Sequence, residues 1–103
     1  MSIAIDNRSI PFTQYLMPDG RIQQIAINRP KDIYDKAMDI INTGHRFEAE
    51  VLTTGEVSLT IFHIVDEEDR DIEIVPNGPE VPLAIDRMIM RFHEQITLES
   101  GVE

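Results

Sequence analysis

The segment HRFEAEVLTTGEVSLTIFHIV, residues 45–65, constrains the fold more than any other part of the chain, because it fixes a hairpin and its register together. With Thr53-Thr54-Gly55 as a three-residue loop, Val51 faces Val57, Ala49 faces Leu59 and Phe47 faces Ile61, so that apolar side chains share one face. A two-residue loop would set those rows on opposite faces. The same register puts His45 opposite His63.

An earlier hairpin has the same construction. Pro18-Asp19-Gly20 suits a three-residue loop between strands over about 11–17 and 21–28. Pairing Leu16 with Ile22 and Phe12 with Ala26 sends Ile25 and Ile27 to the wrong side, unless a bulge near Gln23-Gln24 intervenes. Between the hairpins, PKDIYDKAMDIINTG places Ile33, Ala37, Ile40 and Ile41 at helical spacing, with Pro30 at its entry and Gly44 at its stop. Beyond the second hairpin, a loop over Glu67 to Arg70 would pair Asp66 with Asp71 and carry Val65, Ile72 and Ile74 onto the inner face. A second helix starts from about Pro82, with Val81 held extended before the proline and Ile85, Met88, Ile89, Phe92 and Ile96 on one face.

The expected order is therefore ββαβββα. This is an α+β two-layer sandwich, an antiparallel or mixed sheet of about five strands with two helices on one face. The chain of 103 residues reads as one domain, 1–103, with 1–10 as a flexible or sheet-covering segment and 99–103 as a tail.

The net charge of −10 is unevenly placed. Residues 1–55 carry seven acids against six Lys or Arg, whereas residues 56–103 carry twelve against three. No cluster of Lys and Arg is present to displace counterions from a phosphate backbone, so direct nucleic-acid binding is not expected and basic partners are favoured. No apolar run approaches the ~18 residues of a membrane span, and MSIAIDNRSI has no basic start followed by an apolar stretch, so a cytoplasmic setting is expected. With no cysteine, the chain can build neither disulfides nor thiolate metal sites.

The chain from the PDG hairpin through FEAEVLTTGEVSLTI to NGPEVPLAIDRMI resembles small proteins that recur in bacteriophage and prophage genomes. The resemblance implies an intracellular accessory protein acting on a host or defence component, and it carries no catalytic residue.

Chemistry-bearing residues are few. The run DEEDRD, residues 66–71, holds five carboxylates in six residues but lacks the alternating ligands and central glycine of an EF-hand loop. His45, His63, Asp66 and Asp71 form the candidate metal set, against a plain reading as sheet-end histidines and a solvated turn. No nucleophile elbow, phosphate loop or dinucleotide fingerprint occurs, so no catalytic residue and no cofactor is expected. On the outer sheet face, Leu52, Phe62, Ile64 and Val75 lie beside Arg46, Glu48, Glu50, Ser58 and Thr60. A strand that is apolar on both faces asks for cover, from residues 1–10 with Ile3, Ile5 and Ile10 or from another chain. Leu52, Phe62, Ile64, Glu67, Glu68 and Asp69 are the expected partner-binding residues of a non-enzymatic interaction protein, with a homodimer as one form of it. An acidic DNA mimic and a small metal- or ligand-binding enzyme are the alternatives.

Overall fold

The computed structural model describes residues 8–99, with Gln14 and Leu16 described by backbone alone. The elements run β1 (Ser9–Leu16), β2 (Ile22–Asn28), α1 (Lys31–Asn42), β3 (His45–Val51), β4 (Glu56–His63), β5 (Glu68–Pro76) and α2 (Glu80–Glu99). The order ββαβββα and the α+β class are as expected. The five-stranded sheet has the spatial order β2-β1-β3-β4-β5 and is mixed, because β1 runs parallel to β3 while every other neighbour is antiparallel.

The β3–β4 register is the one read from the alternation, with Val51, Ala49, Phe47 and His45 facing Val57, Leu59, Ile61 and His63. The loops of the β1–β2 and β3–β4 hairpins each end on a glycine at positive φ, Gly20 at 92° and Gly55 at 93°, the left-handed conformation that a three-residue loop needs at its last position. The irregularity in the first hairpin lies opposite Gln24, where a bulge was expected, and the extra residue is on β1, between Phe12 and Tyr15. That extra residue brings Phe12 opposite Ile25 and Ile10 opposite Ile27, so the apolar residues of both strands share the inner face.

Both helices cover this inner face. α1 lies over β1 and β3, α2 lies over β4 and β5, and neither lies over β2. The core joins Phe12, Phe47, Leu59 and Ile61 of the sheet to Ile33, Ala37 and Ile40 of α1 and to Ile85, Met88, Ile89 and Phe92 of α2. Ile10 is fully buried in it, so this residue seals the inner face and does not cover the outer one. Ile3 and Ile5 lie outside the described residues.

Three sequence expectations about the C-terminal half are overturned. The turn after β4 is Ile64–Glu67, and β5 pairs Phe62 with Asp69, His63 with Glu68 and Ile61 with Asp71 across a bulge, so Asp66 does not face Asp71. This register reverses the faces of β5. Val75, expected outside, is buried in the core, while Ile72 and Ile74 are 51% and 54% exposed on the outer face and Val65 in the turn is 82% exposed. The cause is visible in the pairing of charges. Glu73 and Asp71 turn toward α2, where Arg91 donates to both and Arg87 donates to Glu73. Those arginines, Arg87 foremost, hold the Glu73 carboxyl below the ordinary carboxylate range. Hydrophobic alternation alone favours the opposite faces, because it leaves out the arginines on the facing helix. The third difference is at Val81, which is helical: α2 starts at Glu80, and Pro82 sits in its first turn, where no intrahelical acceptor is lost.

Candidate functional site

The outer face of the sheet is built from three transverse rows of side chains. Arg46 of β3 stands opposite Phe62 of β4 and next to Asp69 of β5; Glu48, Thr60 and Ile72 form the second row; Glu50, Ser58 and Ile74 form the third. No helix lies on this side among the described residues. A shallow cleft of about 260 Å³ crosses it, lined by Ile22, Glu48, Glu50, Ser58, Thr60, Asp69 and Ile72.

The charges in the cleft differ in how far they are satisfied. Arg46 donates to Glu48 at 2.8 Å and its guanidinium lies 4.4 Å from the centre of the Phe62 ring, so this corner is neutral and stiff. Glu50 and Asp69 have no ion-pair partner among the described residues. The face therefore offers two unneutralised carboxylates beside exposed Ile22, Ile72 and Ile74.

Of the expected partner-binding residues, Phe62 and Asp69 stand on this face. Leu52 lies in the turn before Thr53 and Ile64 in the turn after β4, so neither stands on the strand surface assigned to it; each falls where a chain reversal ends the pleat. Glu67 occupies the same turn with φ 58°, and Glu68 opens β5 opposite His63. Ile22, Ile72 and Ile74 were missed because their placement depends on the neighbour order and the β5 bulge, neither of which leaves a local signal.

His45 and His63 meet at the sheet end, with ring centroids 4.7 Å apart, and Phe92 packs edge-on to His45 at 5.1 Å. Asp66 reaches His63 Nδ1 at 3.0 Å and accepts a hydrogen bond from Arg70, which also lies 3.2 Å from that ring nitrogen. Arg70 thus supplies the positive charge that a metal ion would bring to this group. Asp71 is elsewhere, paired with Arg91. Among the described residues, no group of three or more His, Asp or Glu side chains is disposed to hold a metal ion.

His45 itself is 7% exposed and lies 3.2 Å from the Ile40 carbonyl, to which its Nδ1 proton is directed. Burial outweighs that hydrogen bond and the nearby Asp66, and holds its pKa below the ordinary 6.5, with His63 and Arg70 adding to the depression. A histidine kept neutral on folding contributes stability that is complete above pH 6.5 and is lost as pH falls from there through the folded value. Urea midpoints measured from pH 7.5 to 5 should fall across this window in the wild type and stay flatter in His45→Gln. Parallel profiles for the two proteins would locate the titration elsewhere.

No described helix is long and apolar enough to cross a membrane. No known protein family, no curated protein and no solved structure matches the chain.

Proposed function

We propose that the chain is a protein-interaction module whose open sheet face docks a basic, amphipathic segment of a partner. The observation that carries this reading is the pairing of exposed Ile22 and Ile72 with two unneutralised carboxylates, Glu50 and Asp69, in one cleft, with exposed Ile74 on the same face. Apolar side chains of a partner would bury against the isoleucines, and its Lys or Arg would meet the carboxylates at the rim, the division of labour usual in specific interfaces. A host component of basic character would fit the resemblance to phage proteins. The DNA-mimic reading has less to carry it, because five of the twelve acids of residues 56–103 are held in ion pairs within the fold: Asp66 and Glu68 with Arg70, Asp71 and Glu73 with Arg91, Asp86 with Arg29.

The test is affinity capture from lysate with wild type, Ile72→Glu and Glu50→Lys/Asp69→Lys. The proteins retained by the wild type should be predominantly basic, and both variants should bind them about 30-fold more weakly, a loss of ~2 kcal/mol. Their folding stability should stay within ~0.5 kcal/mol of wild type, since the altered positions are surface ones. A captured set that is acidic, or that both variants retain equally, would put the binding surface somewhere else.

A further inference from the structure

The two edges of the sheet are unlike. β5 carries Glu68, Asp69, Arg70, Asp71 and Glu73 and ends on Pro76, which are the usual defences of an exposed edge against pairing with another chain. β2 reads IQQIAIN, with no charge and no proline along its whole length. It is the other outermost strand, so among the described residues one side of its backbone has no partner in the sheet.

Among the described residues, the cover over β2 is also incomplete, although Ile25 and Ile27 pack against the core. Neither helix lies over this strand, and Ile25 and Ile27 are only half-buried. An apolar crevice of about 60 Å³ runs between Val81 and Ile85 of α2 and the inner face of the sheet, at Phe12, Tyr15, Ala49, Val57 and Leu59, and Ile25 and Ile27 form its β2 wall. An occupant at this edge would gain backbone hydrogen bonds and cover apolar surface in one step.

We propose that the occupant is a second copy of this chain, with β2 pairing antiparallel to its counterpart across a two-fold axis, so that two five-stranded sheets continue as one. A two-fold contact joins the same patch of both copies, and antiparallel pairing of identical strands has this symmetry. The charge distribution chooses the same edge. Each chain carries −10, of which the residues from 56 onward hold twelve acids against three basic residues. β5 lies four strand spacings from β2, roughly 19 Å at about 4.8 Å each, well beyond the screening length of ~8 Å at physiological salt. Two copies meeting through β2 keep their acidic edges apart, whereas contact through β5 would oppose them. With Ile25 near the axis, Gln24 of one copy stands close to Ala26 of the other, and the arginines that meet just beyond the strand ends, Arg21 and Arg29, are each already paired within their own chain, with Asp19 and Asp86. The inference does not depend on the docking role given to the outer face.

The test is sedimentation equilibrium together with hydrogen exchange on the full chain. The wild type should weigh twice the 11.8 kDa of one chain. Gln24→Lys/Ala26→Lys sets lysines against lysines across the axis and should raise the dimer dissociation constant about tenfold or more. Leu83→Glu, an exposed apolar position on α2, should leave it unchanged. In the wild type, exchange protection of the β2 amides should rise with protein concentration, a reading that needs no variant to fold. A monomer at the highest soluble concentration, a dimer indifferent to the lysine pair, or β2 protection independent of concentration would each overturn the proposal.

Discussion

Phe47→Ala is expected to destabilise the fold by ~3–5 kcal/mol, the range found when a fully buried phenylalanine is truncated and its site cannot collapse. Phe47 is 0% exposed on the middle strand of the sheet, opposite Ile61, with the Phe12 ring centroid 5.7 Å away and tilted by 50°. β1 and β4 flank it and α1 lies above it, so relaxation into the space left behind would require three elements to move together. Typical domains are stable by only about 5–15 kcal/mol, so the variant should be partly unfolded near body temperature. Urea denaturation followed by far-ultraviolet circular dichroism reads the effect. A loss under about 1.5 kcal/mol would mean that the core is centred elsewhere.

The second large effect is expected at Asp86. Its two carboxylate oxygens accept from Arg29 Nε at 2.7 Å and from a terminal nitrogen at 2.5 Å, and the side chains are only 19% and 27% exposed. This fork ties the end of β2 to α2 across a long separation in sequence. It also raises the Arg29 pKa, through the hydrogen bond to Asp86 first. Asp86→Ala should cost ~1.5–3 kcal/mol, since among the described residues the guanidinium keeps a single weak contact, at 3.3 Å with the Asn28 carbonyl. Arg29→Ala/Asp86→Ala should cost clearly less than the two single changes added together, because removing both partners leaves no stranded charge. Strict additivity in that cycle would show that the two groups do not interact.

Local chemistry made much of this fold legible. The loops at Pro18-Asp19-Gly20 and Thr53-Thr54-Gly55, the β3–β4 register and the apolar stripes of both helices are each decided by residues within one hairpin or a few helical turns. Errors gathered where a distant partner decides. Val75 and Ile72 exchanged faces because Arg87 and Arg91 draw Glu73 and Asp71 toward α2. Ile10 belongs to the core because β1 lies between β2 and β3, an order that no local pattern announces. The candidate site suffered accordingly. Phe62 could be placed from sequence, but Asp69, expected in a loop over Glu67 to Arg70, and the surrounding isoleucines could not, because their positions follow from the bulge opposite Ile61 and Phe62 and from the strand order.

The position of β1 has a kinetic consequence. The N-terminal hairpin and the β3–β4–β5 meander each join strands that follow one another through short turns, and such units form in microseconds. The parallel pair of β1 with β3 has no turn to initiate it, since β2 and the whole of α1 lie between them, and the entropy of closing that segment is spent before Phe12 reaches Phe47. Union of the two halves should therefore set the folding rate. During synthesis the first hairpin leaves the ribosome with β1 unpaired on one side and the uncharged β2 on the other, and it stays open to wrong partners until β3 has followed.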